Sequence, residues 1–437
     1  VNTSQDFVFR RIAWRLLPLL TLCLLFAFID RSNVGFAAIT MRADLNMSAA
    51  AYGLGAGIFF ISYFFFEFPS NLILARVGAR RWISRIMISW GLLSALTALS
   101  WNDTSFLVFR FLLGAGEAGF FPGILFFLMH WFSNKWRARM ASFLLLAVPL
   151  SNAIGAPVSG MLLGLNGVGG LHGWQWLFII EGIPTCVLGV VLWLRLPDRV
   201  EDARWLTTEQ KTVARTVLDA EATARSTIAK VKLSAMFALP GVWLLGSVLF
   251  LNSMTNGTVN FWLPQIVKSG GFTNVQTGFI VSIPYTVGAC VLVLWGMHSD
   301  RTGERRWHAA LPLLVSALGV AIAASFDEVG FRVAGLTLAA TGMFSVLGVI
   351  YALPGEFLLG MAAAGGVAVI NSIGNLGNFV GPYAVGLLKD YTMGYGAGLS
   401  LDTVTLLIAA TIVLVMLRKH GRLVAVMAPS DAEAAAE

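Results

Sequence analysis

Five charged residues lie inside long apolar runs of this sequence: Asp30 and Arg31, Glu67, Arg110 and Glu117. A carboxylate in such a place can take up and release a proton. A guanidinium stays charged and grips carboxylates with a planar fork of donors. A charge placed centrally in a bilayer costs about 2.5–3.5 kcal/mol, so the five together cost on the order of 15 kcal/mol unless they pair or meet water. They are therefore expected to line a cavity. Arg110, Gly114 and Glu117, spaced by four and three residues, share one helix face. Simpler roles stay open for some of them. Arg110 could do no more than bridge to Asp30. Glu67 is followed by Pro69, Ser70 and Asn71, so a helix-end or gate role competes with a proton site. Glu181, in Trp176-Leu177-Phe178-Ile179-Ile180-Glu181-Gly182, has no arginine neighbour in the spans and is read as packing or gating.

The elements that must position these residues follow from composition. The 437 residues are 57% hydrophobic and 12% charged, with a mean hydropathy of +0.76. Soluble domains carry about 25% charged residues, so a water-facing surface of this size is excluded. Apolar runs long enough to span, roughly 20 residues each, predict an all-α membrane protein of twelve transmembrane helices. They fall near 12–40, 51–75, 82–100, 104–131, 137–165 and 174–196, then near 240–267, 273–297, 306–326, 331–353, 363–388 and 396–418. This divides the chain into a six-helix bundle at 1–196, a polar loop at 197–238, a second bundle at 239–420 and a loose tail at 421–437. The rise per residue sets depths. Asp30 and Arg31 lie about 22–24 Å above Arg15, and Arg110 and Glu117 about 9 and 20 Å below Thr104. Arg31 and Arg110 are thus nearly level, and Tyr63 falls near the level of Glu117.

The Lys and Arg residues set the orientation. With both termini cytoplasmic, 24 of the 30 lie inside, only Arg42, Lys268, Arg332 and Lys389 lie outside, and Arg31 and Arg110 remain in the membrane. Such a bias fixes topology. The net charge of +7 is a topology signal and implies no nucleic-acid partner. Within the loop, Thr207-Thr208-Glu209-Gln210 reads as a helix start with a capping box; the helix lies on the membrane surface or serves as a plain tether. The first apolar run has no cleavage site and is a first helix rather than a signal peptide. The chain begins at Val1 rather than Met, so a few residues ahead of it are expected to be missing. Cys23, Cys186 and Cys290 are read as small buried hydrophobes. No metal site and no cofactor are expected, and His130, His172, His298 and His308 fall at helix ends or loops, which argues against a buried histidine relay.

The second half offers amides instead of charges. Asn252, Asn256 and Asn260 recur every four residues, and Asn371, Asn375 and Asn378 form a similar stripe with Gly374 and Gly377 between. Such stripes either glue helices together or line a pathway. Asn256, Asn371 and Asn375 are taken as candidate substrate ligands; Asn371 and Asn375 lie near mid-membrane.

A repeat links the halves. Arg76-Val77-Gly78-Ala79-Arg80-Arg81-Trp82 recurs 225 residues later as Arg301-Thr302-Gly303-Glu304-Arg305-Arg306-Trp307, matching at five of seven positions. Each copy falls between the second and third helices of its half. Two parallel six-helix halves are the layout of major facilitator superfamily transporters. The loop resembles that superfamily's signature, which implies a cytoplasmic gate built from Asp300, Arg301 and Gly303 and from Arg76, Gly78 and Arg80. The first copy departs from it, with Asn71 and Ala75 where Gly and Asp stand in the second as Gly296 and Asp300.

Three longer runs narrow the resemblance. Ile29-Asp30-Arg31-Ser32-Asn33, Tyr63-Phe64-Phe65-Phe66-Glu67-Phe68-Pro69-Ser70-Asn71 and Arg110-Phe111-Leu112-Leu113-Gly114-Ala115-Gly116-Glu117 together resemble the anion:cation symporter family of that superfamily. The likeness runs on through His172-Gly173-Trp174-Gln175-Trp176 and Leu196-Pro197-Asp198-Arg199 and covers essentially the whole chain. It implies that Arg31 and Arg110 bind the anion, that Asp30 and Glu117 carry protons and that Tyr63 hydrogen-bonds the substrate. The Glu67 segment leans towards tartrate and phthalate carriers.

A secondary transporter that imports a small organic anion with protons is therefore expected, working by alternating access as a monomer in the bilayer of a bacterial inner membrane. With all groups ionised, Asp30, Glu67 and Glu117 outweigh the two arginines by one charge, and two protons reverse the sign. The alternatives are an organic-anion exchanger or uniporter without proton coupling, and a symporter for a neutral solute. A channel would need a continuous polar pore, and an enzyme a nucleophile–base pair or metal ligands; neither pattern is present.

Overall fold

The computed structural model describes residues 3–226, 239–353 and 361–418. The tail expected at 421–437 and the end of the central loop, 227–238, lie outside the described residues. Among the described residues the helices are α1 Thr3–Asp44, α2 Ala49–Val77, α3 Ala79–Leu96, α4 Asp103–Glu117, α5 Phe120–Trp131, α6 Asn134–Leu145, α7 Ala147–Leu162, α8 Gly173–Arg195 and α9 Thr208–Ser226. They continue with α10 Pro240–Lys268, α11 Asn274–Thr302, α12 Arg306–Ser325, α13 Val329–Ala352, α14 Met361–Thr392 and α15 Gly396–Arg418.

Ten helical segments among the described residues are long and apolar enough to cross a membrane. The 29-residue α10 and the 32-residue α14, which carry the asparagine stripes, complete the twelve. Two expected single helices are in fact divided. The span predicted over 104–131 breaks at Ala118–Gly119, where Gly119 takes φ 88° and starts α5. The span predicted over 137–165 is α6 followed by α7, joined at Leu146. Apolar periodicity continues through both joints, so hydropathy alone does not register them. The glycine pair Gly116 and Gly119 was the available sign, because glycine adopts left-handed backbone without steric cost.

The helices form two compact units. One comprises residues 1–47, 58–227 and 274–278; the other comprises 48–57, 228–273 and 279–437. In the first unit, Gly91 of α3 and Gly182 of α8 pack backbone to backbone, each so close that a Cβ would meet the other's carbonyl oxygen at 2.7 Å. Small residues permit this approach where no water-driven force holds helices together. The second unit repeats the device between α12 and α13, through Gly319 and Gly335. It also holds the first turn of α2: the Asp390 carboxylate accepts hydrogen bonds from the Ala49 and Ala50 amides at 3.0 and 2.7 Å. A carboxylate there satisfies orphan helix donors and complements the dipole.

The polar helix α9 starts as its sequence indicates. Gln210 N donates to Thr207 Oγ1 at 3.3 Å, and Thr207 N donates to Gln210 Oε1 at 3.2 Å. Of the cysteines, Cys23 is buried and Cys186 intermediate, but Cys290 is exposed on α11, against the expectation that all three would be buried.

The two copies of the repeat form matching turns. Gly78 and Gly303 both take left-handed backbone, with φ 95° and 67°. In the second copy Asp300 receives Arg305 Nη1 at 2.9 Å. In the first copy Arg80, the counterpart of Arg305, has no Asp at the matching position 75; its amide and Nε instead face Asp198 at 3.3 and 3.9 Å. The acid missing from the first loop is thus supplied from the segment after α8. Glu304 then caps α12, accepting from the Trp307 and His308 amides at 2.7 and 3.1 Å. His308 bridges Glu304 and His298, at 2.8 and 2.7 Å. A linked histidine pair therefore exists, at the adjoining ends of α11 and α12.

Partial burial works to raise the Glu304 pKa, yet the Trp307 amide and the His308 ring and amide together hold the carboxyl below its usual range. A lowered folded pKa means stabilisation that is present above the unfolded value of about 4.3 and lost as pH falls through the folded one. Glu304→Gln is expected to cost about 1 kcal/mol, the usual worth of a helix cap. Thermal melts of the two proteins should differ at pH 7 and converge as pH falls below about 4.

Candidate functional site

Two arginines of the first unit lie against one ring. The Arg31 guanidinium carbon lies 5.5 Å from the centroid of Phe59, and that of Arg110 lies 5.0 Å from it. Arg31 also stands 5.2 Å from Phe28 and 5.3 Å from Tyr63. Cation–π contacts of this kind contribute about 0.5–2 kcal/mol each and cost no hydrogen-bond donors.

Glu117, the last residue of α4, is the ion-pair partner of Arg31. Arg31 Nε donates to Glu117 Oε1 at 2.7 Å, and Nη2 approaches the same oxygen. Glu117 is 1% exposed, and its other oxygen, Oε2, accepts no hydrogen bond. A buried carboxylate oxygen without a donor is costly. A proton on Oε2 removes that cost. The carboxyl thus has one oxygen committed to the arginine and one free to be protonated.

Helix α4 ends at this residue for a definite reason. Ala118 leaves the helical conformation with ψ 129°, and Gly119 follows in left-handed backbone. The Ala118 carbonyl accepts Ser70 Oγ at 2.6 Å, and Trp82 Nε1 donates to Ser70 Oγ at 3.0 Å. The chain Trp82–Ser70–Ala118 satisfies the broken backbone within the protein, as a span requires. One turn earlier, a Cβ on Gly114 would meet Phe59 O at 2.2 Å. Gly114→Val is therefore expected to push α4 off α2 and displace Arg110 and Glu117 together. Overpacking costs about 1–3 kcal/mol, and here the obstacle is backbone. The variant should melt lower and lose transport, whereas Gly164→Ala, with open space at its Cβ, should do neither.

Asp30 is also 1% exposed. Its carboxyl accepts Thr185 Oγ1 at 3.0 Å, Ser94 Oγ at 3.2 Å and Asn33 Nδ2 at 3.5 Å. Three helices thus hold it, α1, α3 and α8, and its bonds run to neutral groups. Glu181 stands one turn before Thr185 on α8. It is 3% exposed, accepts Ser159 Oγ at 2.8 Å, and leaves its Oε2 without a donor. Read from sequence as packing or gating, it stands as a further buried carboxyl near Asp30. Tyr63 is buried, and Glu67 is half-buried one turn further along α2.

In the second unit the asparagines divide into two roles. Asn252 Nδ2 donates to the Met343 carbonyl at 3.3 Å. Asn260 Nδ2 donates to Asn256 Oδ1 at 2.8 Å, and Tyr285 OH donates to Asn260 Oδ1 at 2.8 Å. Asn252 and Asn260 therefore tie α10 to α13 and α11. Asn371 Oδ1 accepts Tyr351 OH at 2.9 Å, and Asn375 is half-buried one turn on. The glycines among them make the helix contact: Gly374, Gly377 and Gly381 pack against Leu249, Phe250 and Met254 of α10.

Phe59, Ser94, Thr185 and Tyr285 are residues that sequence inspection passed over, and Glu181 is one it read as packing or gating. Asp402, fully buried in α15, joins those passed over. For Glu181 and Asp402 the signal was present, an acid inside an apolar run. For Phe59 there was none, since one phenylalanine among 31 does not stand out.

A polytopic helical bundle with ionisable groups buried in its spans is an architecture that solute transporters use. The Major Facilitator Superfamily profile matches residues 20–382, and the chain belongs to that superfamily, a family of transporters and not of enzymes. A protein of Agrobacterium vitis provisionally named a tartrate transporter is 44% identical over 425 residues, 97% of this chain and 94% of its own. A quinolone resistance transporter of Acinetobacter baumannii is 39% identical, covering 95% of this chain and 96% of its own. Among solved structures, a bacterial homologue of the human lysosomal transporter Spinster, inward-facing and unoccupied, superposes with a TM-score of 0.78. That match covers 97% and 99% of the two chains at 19% identity, and it speaks for the fold alone.

Proposed function

We propose that this transporter imports a small organic carboxylate together with protons. The observation that carries the proposal is the Arg31–Glu117 pair near Arg110, in which two nitrogens of the half-buried Arg31 meet one oxygen of the buried Glu117 carboxyl. While Glu117 is ionised it competes with an incoming anion for Arg31. Once protonated it releases the guanidinium. Arg31 and Arg110 can then hold the substrate carboxylate by forked hydrogen bonds.

Charge counting supports the same order of events. Asp30, Glu117 and Glu181 together outweigh the two arginines, and Glu67 adds a further acid. With all four acids ionised the sum is −2, and protons on Glu117 and Asp30 bring it to zero, so an incoming anion is no longer repelled. Linkage makes the effect reciprocal: protonation raises anion affinity by the factor by which the anion favours protonation. Tyr63 is proposed to hydrogen-bond the substrate, and Asn256, Asn371 and Asn375 are proposed as further substrate-binding residues. Asp300, Arg301 and Gly303, with Arg76, Gly78 and Arg80, are proposed as gate residues of an alternating-access cycle. The bias of Lys and Arg supports a bacterial inner membrane setting with both termini cytoplasmic, and a monomer suffices because each chain carries both halves.

The name of the Agrobacterium relative supports a hydroxy-dicarboxylate such as tartrate. The name of the Acinetobacter relative favours a second reading, in which the solute carried is a quinolone. Uptake of labelled tartrate, phthalate, galactonate and hydroxyphenylacetate into proteoliposomes, with and without an inward proton gradient, tests both. Gradient-driven uptake of one of these acids supports import by symport. Uptake indifferent to the gradient contradicts it, and proton-driven extrusion of a quinolone establishes the second reading.

A further inference from the structure

A groove of about 1010 Å³ runs along the first unit between α1 and α6. Its basic end is formed by Arg10, Lys135 and Arg139, all exposed. The acid there, Asp6, already accepts Trp136 Nε1 at 3.2 Å, and Arg139 lies 5.8 Å from the Trp136 ring. The walls beyond are apolar, with Trp14, Leu17, Leu22, Leu25 and Phe143 along them. Trp14 is 72% exposed, Phe143 50% and Leu22 41%. Arg10, Trp14, Leu17, Thr21 and Leu25 follow one another at spacings of three and four, so a single face of α1 makes one side. From Arg10 to Leu25 that face rises about 22 Å, more than half of a hydrocarbon core of roughly 30 Å.

We infer that this groove is a binding site for an anionic phospholipid, its phosphate held by Arg10, Lys135 and Arg139 and one acyl chain lying along α1. A small hydrophilic anion would gain nothing from the Leu17–Leu25 wall. A zwitterionic lipid would bring an ammonium to a rim that already holds three cations. An anionic lipid satisfies both ends, and basic pockets between transmembrane helices are suited to such headgroups. Trp14 and Trp136, each with an apolar ring and one donor, suit the level where headgroup meets chain. The site shares no residue with the Arg31–Glu117 pair and does not depend on what that pair transports.

Native mass spectrometry of the full chain, offered palmitoyl-oleoyl phosphatidylglycerol or the phosphatidylethanolamine with the same chains, tests the inference. The wild type is expected to retain phosphatidylglycerol with at least about tenfold preference, equivalent to 1.4 kcal/mol. The triple variant Arg10→Gln, Lys135→Gln, Arg139→Gln should lose the preference. Its residues are exposed, so its melting temperature in neutral detergent should match wild type. Leu22→Glu, which leaves the basic rim intact but charges the wall, should also weaken lipid retention. Equal retention of the two lipids overturns the inference, and so does a preference unchanged in the triple variant. Displacement by millimolar inorganic phosphate also overturns it, since that would mark a free-anion site.

Discussion

Glu117→Gln is expected to abolish proton-driven accumulation while leaving anion binding intact and nearly independent of pH. Glutamine keeps the shape of a protonated glutamate and cannot form the ion pair with Arg31. It therefore fixes the site in the state that the proton normally creates. With an inward gradient of two pH units, one coupled proton supports up to about a hundredfold accumulation, at 1.4 kcal/mol per tenfold. The variant should fall to parity across the membrane, yet still exchange labelled for unlabelled anion. Binding measured by calorimetry between pH 5 and 8 separates coupling from mere damage. Wild-type affinity should weaken as pH rises, and that of the variant should stay level. A variant that keeps accumulating anion against its gradient would remove Glu117 from the coupling step.

Arg110→Lys is the second large effect. Lysine retains the charge but offers a point donor in place of a planar fork, at a residue that is 1% exposed and packed over Phe59. Disrupting a buried, hydrogen-bonded charge pair typically costs about 2–5 kcal/mol, so anion affinity should fall by roughly thirtyfold to several thousandfold. Arg31→Lys should behave similarly. It should also weaken the tie to Glu117, so its pH dependence should shift where that of Arg110→Lys does not. Equal affinity for tartrate in Arg110→Lys and wild type would show that Arg110 serves packing alone.

Much of this was legible in the sequence, because a bilayer penalises charge so heavily that Asp30, Arg31, Arg110 and Glu117 could hardly be idle. Helix positions were legible for the same reason. Apolar runs fix the spans, and the repeat at Arg76 and Arg301 marks matching turns in the two halves. What escaped was set by contacts between helices. The break after Glu117 depends on Ser70 reaching the Ala118 carbonyl while Trp82 donates to Ser70, two side chains whose spacing along the chain predicts nothing about that meeting. The role of Glu181 needed Thr185 to bring α8 against Asp30. Asp198 supplies the acid that Ala75 lacks, a substitution that no comparison of the two loops alone could reveal. The asparagine stripes posed an even choice between glue and pathway, and the partners of Asn252 and Asn260 place those two on the side of glue.

The most direct test of the central claim follows the proton itself. Proteoliposomes loaded with a pH-sensitive dye and held at equal pH inside and out would receive external tartrate, or whichever acid the uptake panel selects. Proton–anion symport predicts that the lumen acidifies on addition, that an uncoupler abolishes the signal, and that Glu117→Gln gives none. Anion entry measured in the same vesicles without any change in luminal pH would contradict the account.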